Sequence, residues 1–266
     1  MNQKPRFLGC TPSHTHDLAR AIPLGAFLEQ LPDPIFPFDS LAGHESALQP
    51  FGNDAYGDCT MAEAANRLAG VSAGATGTPT PLSAQTIITQ YFDLTDGADS
   101  GLDIATELQW ESTTGLTDDA GNQHACGIYG TIDPENWNEC LSAIAHCRWL
   151  KLGITASKEF MQATPNSAVD PPRFIGGPLN HCVGAYACRL NAHDNPEIGV
   201  ATWGYTLWLG ETSWTTLVRE AWAIPQDPAF INPATGKTFD GLDLGALLTL
   251  WNYYKSQTTA RAHLLP

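Results

Sequence analysis

Between residues 50 and 150 apolar positions recur at three- and four-residue steps, the spacing that gives a helix one buried face. From Cys59 onward Met61, Ala62, Ala64, Ala65 and Leu68 are good helix formers, in a run entered through a polar turn and closed by Gly70. Residues 71–81, rich in Gly, Ala, Thr and Pro, are expected to form a loop. Residues 83–92 make a second predicted helix capped by Ser83, and 102–113 a third. Trp137, Cys140, Leu141, Ile144 and Ala145 mark a fourth, opened by Asp133-Pro134. A short strand-like segment covers 125–131, a strand covers 150–156, and 163–177 is a Pro- and Gly-rich loop. The second half changes character: 181–190 and 197–203 are rich in Val, Ala, Tyr and Trp and flank a turn at 191–196, which predicts two antiparallel strands. Residues 211–222 suit a short helix or another strand, 225–241 a loop, and 243–254 a final helix buried through Leu244, Leu247, Leu248 and Trp251. Helices first and antiparallel strands after them predict an α+β domain.

Prolines 12, 23, 32, 34 and 37 break up the first 45 residues and leave room for one short helix at 24–31. Phe36, Phe38 and Leu41 are apolar enough for this arm to lie on the domain. The expected division is an arm over 1–45, a domain over 46–254 and a tail over 255–266.

Composition narrows the chemistry. The chain has 266 residues, 43% of them apolar, and a formal net charge of −15. An acidic surface without a Lys/Arg cluster repels phosphate backbones, so no nucleic-acid partner is expected. No apolar run reaches the length of a bilayer span, and the start of the chain lacks the apolar core of a signal peptide, so neither a membrane partner nor export is expected. Seven cysteines at uneven spacing point to reduced thiols in a cytoplasm. The absence of CxxC and of paired ligands on one helix leaves no metal and no cofactor expected.

The candidate chemistry centres on the stretch running from Gly52-Asn53-Asp54 through Gly57-Asp58-Cys59. A thiol in the first turn of a helix meets the positive end of the macrodipole and unpaired backbone N–H groups, and both favour the thiolate. Asp58 is the expected N-cap, and Asp54 and Asp58 would oppose that thiolate in part. Of the eight histidines, His181 combines a Gly- and Pro-rich approach with an apolar strand after it. That setting fixes an imidazole facing a loop-lined cleft, as a general base requires.

Cysteine at a helix start and histidine at a strand start, 181 − 59 = 122 residues apart, resemble the papain-like cysteine peptidases. Asn53 stands six residues before Cys59, where that family places the glutamine that completes the oxyanion hole. His181-Cys182-Val183-Gly184-Ala185-Tyr186 resembles the histidine strand, and Ala201-Thr202-Trp203-Gly204 resembles the Asn-Ser-Trp-Gly segment. The helix-then-strand region 136–153 is similar to the element preceding the catalytic histidine. Residues 50–250 are similar to uncharacterised papain-like proteins of bacteria and phages with a Gly-Asn-Asp-x-x-Gly-Asp-Cys motif and a Thr-Trp-Gly strand. The resemblance implies a cysteine-bearing helix packed on an antiparallel sheet or barrel, and a peptide or amide as substrate. It also implies Cys59 as nucleophile, His181 as base and Asn53 as oxyanion donor. Ala201 stands where the family has the asparagine that orients the histidine; Thr202 could replace it if the strand register shifts by one. A second reading remains: a catalytically silent papain-like assembly protein, such as a virion component, whose arm and tail dock on neighbouring proteins.

Overall fold

The structure is a computed structural model that describes residues 6–14, 23, 36–171 and 177–224, with Thr249 and Asn252. The helix expected at 24–31, the loop at 225–241 and the tail at 255–266 lie outside these residues, as does the final helix at 243–254 apart from helical positions 249 and 252.

The chain opens with a two-residue strand β1 (Cys10–Thr11) and then β2 (Phe38–Asp39). Helix α1 (Cys59–Thr76) follows, then α2 (Ala84–Leu94), β3 (Leu102–Asp103) and α3 (Ile104–Thr113). After short strands β4 (Leu116–Thr117), β5 (Gln123–His124) and β6 (Gly130–Ile132) come α4 (Trp137–Cys147), β7 (Leu150–Ile154) and α5 (Lys158–Gln162). The second half is β8 (His181–Leu190), β9 (Pro196–Thr202), β10 (Tyr205–Gly210), α6 (Glu211–Leu217) and β11 (Val218–Ala223). Ser83, Asp103 and Asn136 cap α2, α3 and α4 by accepting from the third backbone N–H of each helix.

Strands β10-β9-β8-β7-β11-β6 make one antiparallel sheet, with β2 added alongside β8. Alternation along the strands gives the sheet two buried faces. Leu150, Leu152, Ile154, Val183, Ala185, Val200, Ala221 and Ala223 share one core with α4, through Trp137, Leu141 and Ile144. Lys151, Cys182, Gly184, Ala201 and Trp222 fall on the other face, against which α1 lies. The helical half therefore packs on the sheet along α1, the architecture expected from the order of elements.

Several local features differ from the sequence reading: the 125–131 segment is extended only at its end, in β6, and β4, β5 and α5 have no counterpart in that reading. Helix α1 continues past Gly70 to Thr76 and ends on Gly77 at φ 77°, so the first part of the expected 71–81 loop is helical. Gly70 is a contact point instead: a Cβ there would lie 2.5 Å from Leu41 Cδ2. Residues 205–210 form a third hairpin strand, reached through the two-residue turn Trp203-Gly204 with φ of 47° and 83°. Residues 211–222 are neither all helix nor all strand, being split between α6 and β11. Near the start of the chain β2 pairs with β8, and Leu41 is buried against Trp149 and Tyr186.

Candidate functional site

Cys59 opens α1 behind a turn closed by Asn53 N→Pro50 O (2.9 Å), Ala55 N→Gly52 O (2.8 Å) and Tyr56 N→Gly52 O (2.9 Å). His181 opens β8. The two meet where the helix start abuts the strand start, and both are buried, at 1% and 0% exposure. Burial pushes the Cys59 thiol up, but the Cys10 thiol, the His181 imidazole and a backbone hydrogen bond from Cys182 outweigh it and hold Cys59 well below the ordinary thiol range.

The imidazole is fixed from two sides. Its Nε2 lies 2.8 Å from Thr202 Oγ1, and the Trp203 ring stacks on it with centroids 4.6 Å apart and planes 12° from parallel. With Nε2 engaged, Nδ1 is the nitrogen left to exchange a proton with the sulfur. The register explains why Thr202 rather than Ala201 reaches the histidine. Gly184 pairs with Ala201, so Thr202 falls opposite Val183, on the same face as His181, while Ala201 points with Gly184 toward Trp149. Trp203 holds its place through the positive φ of the hairpin turn, a conformation that a bulky residue rarely adopts.

Asn53 is 2% exposed, and its Nδ2 donates to Tyr56 O at 3.1 Å within the turn. Asp58 occupies the N-cap position without a capping side-chain bond. Its carboxyl is wholly buried, and burial, reinforced by the neighbouring Cys59, pushes it up to about 8. The expected electrostatic opposition from Asp58 is therefore absent near neutral pH, where the group is a neutral acid.

A buried ion network holds the first turns of α1 on the sheet. Lys151 Nζ, on β7, donates to Thr60 O at 3.1 Å, pairs with Glu63 at 2.9 Å and also with Glu107 of α3. Trp149 Nε1 donates to Glu63 Oε1 at 2.6 Å, and Arg67 pairs with Glu111. Burial alone would lower Lys151, but Glu107 and Glu63 overcome it and keep the ammonium charged. The available signal in the sequence was the i, i+4 spacing of Glu63/Arg67 and Glu107/Glu111, the only charged residues on these two helices.

The groove between the Asn53–Cys59 turn and the His181 strand is filled by the chain's own residues 6–11. Phe7 N donates to Asn53 O (3.3 Å), Trp203 Nε1 donates to Phe7 O (3.4 Å), and Leu102 N donates to Gly9 O (3.1 Å). The Arg6 guanidinium lies over the Trp203 and Tyr205 rings and donates to the Ala163 (2.9 Å) and Met161 carbonyls. Strand β1 runs parallel to β3, and Cys10 packs with Cys59 and Cys182. Ser13 fastens the far end through two hydrogen bonds to Glu220 (2.9 and 2.7 Å). No local sequence pattern marks this segment, because its ordering depends on surfaces contributed from several distant parts of the chain.

Among the described residues no group of three or more potential ligands is arranged to hold a metal ion, and no helix is long and apolar enough to cross a membrane. No protein-family profile and no curated protein matches the chain. Solved structures do. A structure from work on the mite allergens Blo t 1 and Der p 1 superposes with a TM-score of 0.62 at 12% identity, covering 80% of this chain and 77% of that one. Xylellain, a cysteine protease from Xylella fastidiosa, gives 0.58 at 13% identity, covering 85% and 98%. The digestive procathepsin L2 proteinase of Tenebrio molitor larval midgut gives 0.61 at 12% identity, covering 83% and 78%. Together with the cysteine-bearing helix packed on an antiparallel sheet, these likenesses identify the chain as having the papain-like α+β fold.

Proposed function

We propose that the chain is a Cys/His hydrolase of peptide or amide bonds, with residues 46–254 as the catalytic domain. The observation that carries this reading is the placement of Cys59, held toward the thiolate at a helix start, beside an imidazole whose far nitrogen bonds Thr202. With the groove open, Cys59 Sγ attacks the substrate carbonyl carbon and His181 Nδ1 takes the thiol proton, then returns it to the leaving amine. The neutral tautomer this requires carries its proton on Nε2 and donates it to Thr202 Oγ1. The Cys59 backbone N–H and Asn53 Nδ2 are the donors for the oxyanion, and water then releases the acyl group. Thr202 is a positioning residue, standing where an asparagine amide would otherwise fix the ring.

The test is site-mapped alkylation by iodoacetamide near neutral pH, paired with cleavage of a peptide library. Cys59 should label faster than the other six cysteines once the groove is open, and His181→Ala should slow it by about 10²-fold. Thr202→Val should cost roughly tenfold in turnover, and Thr202→Ser should restore most of it. Equal labelling of all seven thiols, unchanged by His181→Ala, would sink the proposal.

One observation favours a second reading. A groove closed by residues 6–11 suits a silent papain-like assembly protein of a bacterium or phage, held in a cytoplasm or a virion. On that reading Cys59 labels no faster than its neighbours even after the segment is displaced.

A further inference from the structure

Three of the seven cysteines meet at one point. Cys10, Cys59 and Cys182 are buried together in one cluster with Ile104, Leu108 and Leu179, and the Cys10 thiol neighbours both other sulfurs. They arrive there from separate directions: Cys10 on the strand crossing the groove, Cys59 on the helix start, Cys182 on the central strand. The position of Cys10 is imposed by backbone contacts on both sides. Gly9 passes so close to the turn that a Cβ on it would lie 1.8 Å from Gly57 O, and a Cβ on Gly101 would lie 1.7 Å from Gly9 O. The register Cys10↔Leu102 then fixes which side chain meets the sulfur of Cys59.

We propose that Cys10 and Cys59 are a redox pair, closed by peroxide into a reversible disulfide that fastens residues 6–11 over the groove. The structure as described holds both as free thiols. In the first step the Cys59 thiolate attacks one peroxide oxygen. The O–O bond breaks, an S–O bond forms, and hydroxide leaves, giving Cys59 sulfenic acid. In the second step the Cys10 sulfur attacks Cys59 Sγ, the S–O bond breaks, and the hydroxyl departs as water with the Cys10 proton. Two electrons pass from the two sulfurs to one peroxide, and an added dithiol returns them.

The three sulfurs are not equivalent in this sequence. Peroxide reacts with a thiolate, and Cys59 is the one held low, whereas burial pushes Cys182 up to about 11. Peroxide is also small enough for a site that is 1% exposed, where a bulky disulfide reagent is excluded while the segment is in place. The pairing does not depend on Cys59 turning over any substrate, so it is tested apart from the hydrolase reading.

Tryptic cleavage separates the partners, because Cys10 falls in residues 7–20, Cys59 in 21–67, and Cys182 with Cys188 in 174–189. The full chain is treated with about one equivalent of hydrogen peroxide, unfolded in excess iodoacetamide and digested without reductant. The expected product is the 7–20/21–67 linked peptide, lost on dithiothreitol treatment and absent from Cys10→Ser. In that variant Cys59 should instead accumulate as sulfinic acid. A 7–20/174–189 link in its place overturns the proposal. So does Cys59 over-oxidation in the wild type at the level of Cys10→Ser, or a Cys59 left unoxidised while other cysteines react. Circular dichroism of Cys10→Ser confirms that the comparison is between folded chains.

Discussion

Asp58 shows how much one buried side chain changes the electrostatics of the site. Its carboxyl titrates at about 8 in the folded chain, against about 3.9 for an unfolded aspartate. Between those values the folded state binds the extra proton, so stability falls as pH rises through the window, by up to about 1.4 kcal/mol per pH unit. Asp58→Asn removes the ionisation. Urea midpoints for wild type and variant should therefore converge toward pH 4 and separate toward pH 8, with the variant more stable; parallel curves would contradict the assignment. Residue identity made part of this site readable in the sequence. A cysteine after a polar turn and a histidine before an apolar strand are local signals of position. The partner of the histidine was not readable, because choosing between Ala201 and Thr202 requires the pairing of Gly184 with Ala201, a relation between two strands.

At the scale of elements, the junction of α1 with the sheet combines apolar packing with buried charge. Lys151, Glu63 and Glu107 are fully or almost fully enclosed, with Lys151 also bound to the Thr60 carbonyl one residue after Cys59. Replacing Lys151 by Met leaves two carboxylates without their cation. The expected loss is about 3–5 kcal/mol in denaturant unfolding, with much of it recovered in the triple change Lys151→Met, Glu63→Gln, Glu107→Gln. If the single and triple variants unfold alike, the network is not what holds this interface. Local pattern located every long helix among the described residues: one buried stripe leaves a 3.6-residue rhythm in α2, α3 and α4, and good helix formers mark α1, which is buried throughout Cys59–Ala73. It misjudged the end of α1, where Gly70 and Gly74 read as breakers but the helix has its small residues facing Leu41 and the Ser40 carbonyl. It also passed over β10, whose Trp203-Gly204 turn gives the chain only two residues in which to reverse.

For the whole molecule, the decisive feature is that the first described residues close the groove that the last strands build. Cys59 and His181 are sealed by Arg6–Thr11, and the seal depends on a passage with no room for a side chain at Gly9. Gly9→Val places its Cβ about where the Gly57 carbonyl oxygen stands, so either the segment or the Cys59 turn must move. The turn is tied by its own hydrogen bonds and by Asp99 Oδ1 accepting from Gly57 N (2.9 Å), and it leads directly into α1. The segment contributes only the two-residue strand β1 and leads into no helix, so it is the part that lifts. Labelling of a sealed thiol proceeds through the open fraction of molecules, and a rise in that fraction appears directly as rate. Alkylation of Cys59 should accelerate at least about tenfold in Gly9→Val, with far-UV circular dichroism unchanged because β1 contributes two residues. Arg6→Ala, which frees the Trp203 and Tyr205 rings, should accelerate it in the same direction and by less, since Phe7 and Gly9 keep their backbone bonds. A Gly9→Val protein that stays folded and labels at the wild-type rate would mean that the thiol is reached by some path other than release of this strap.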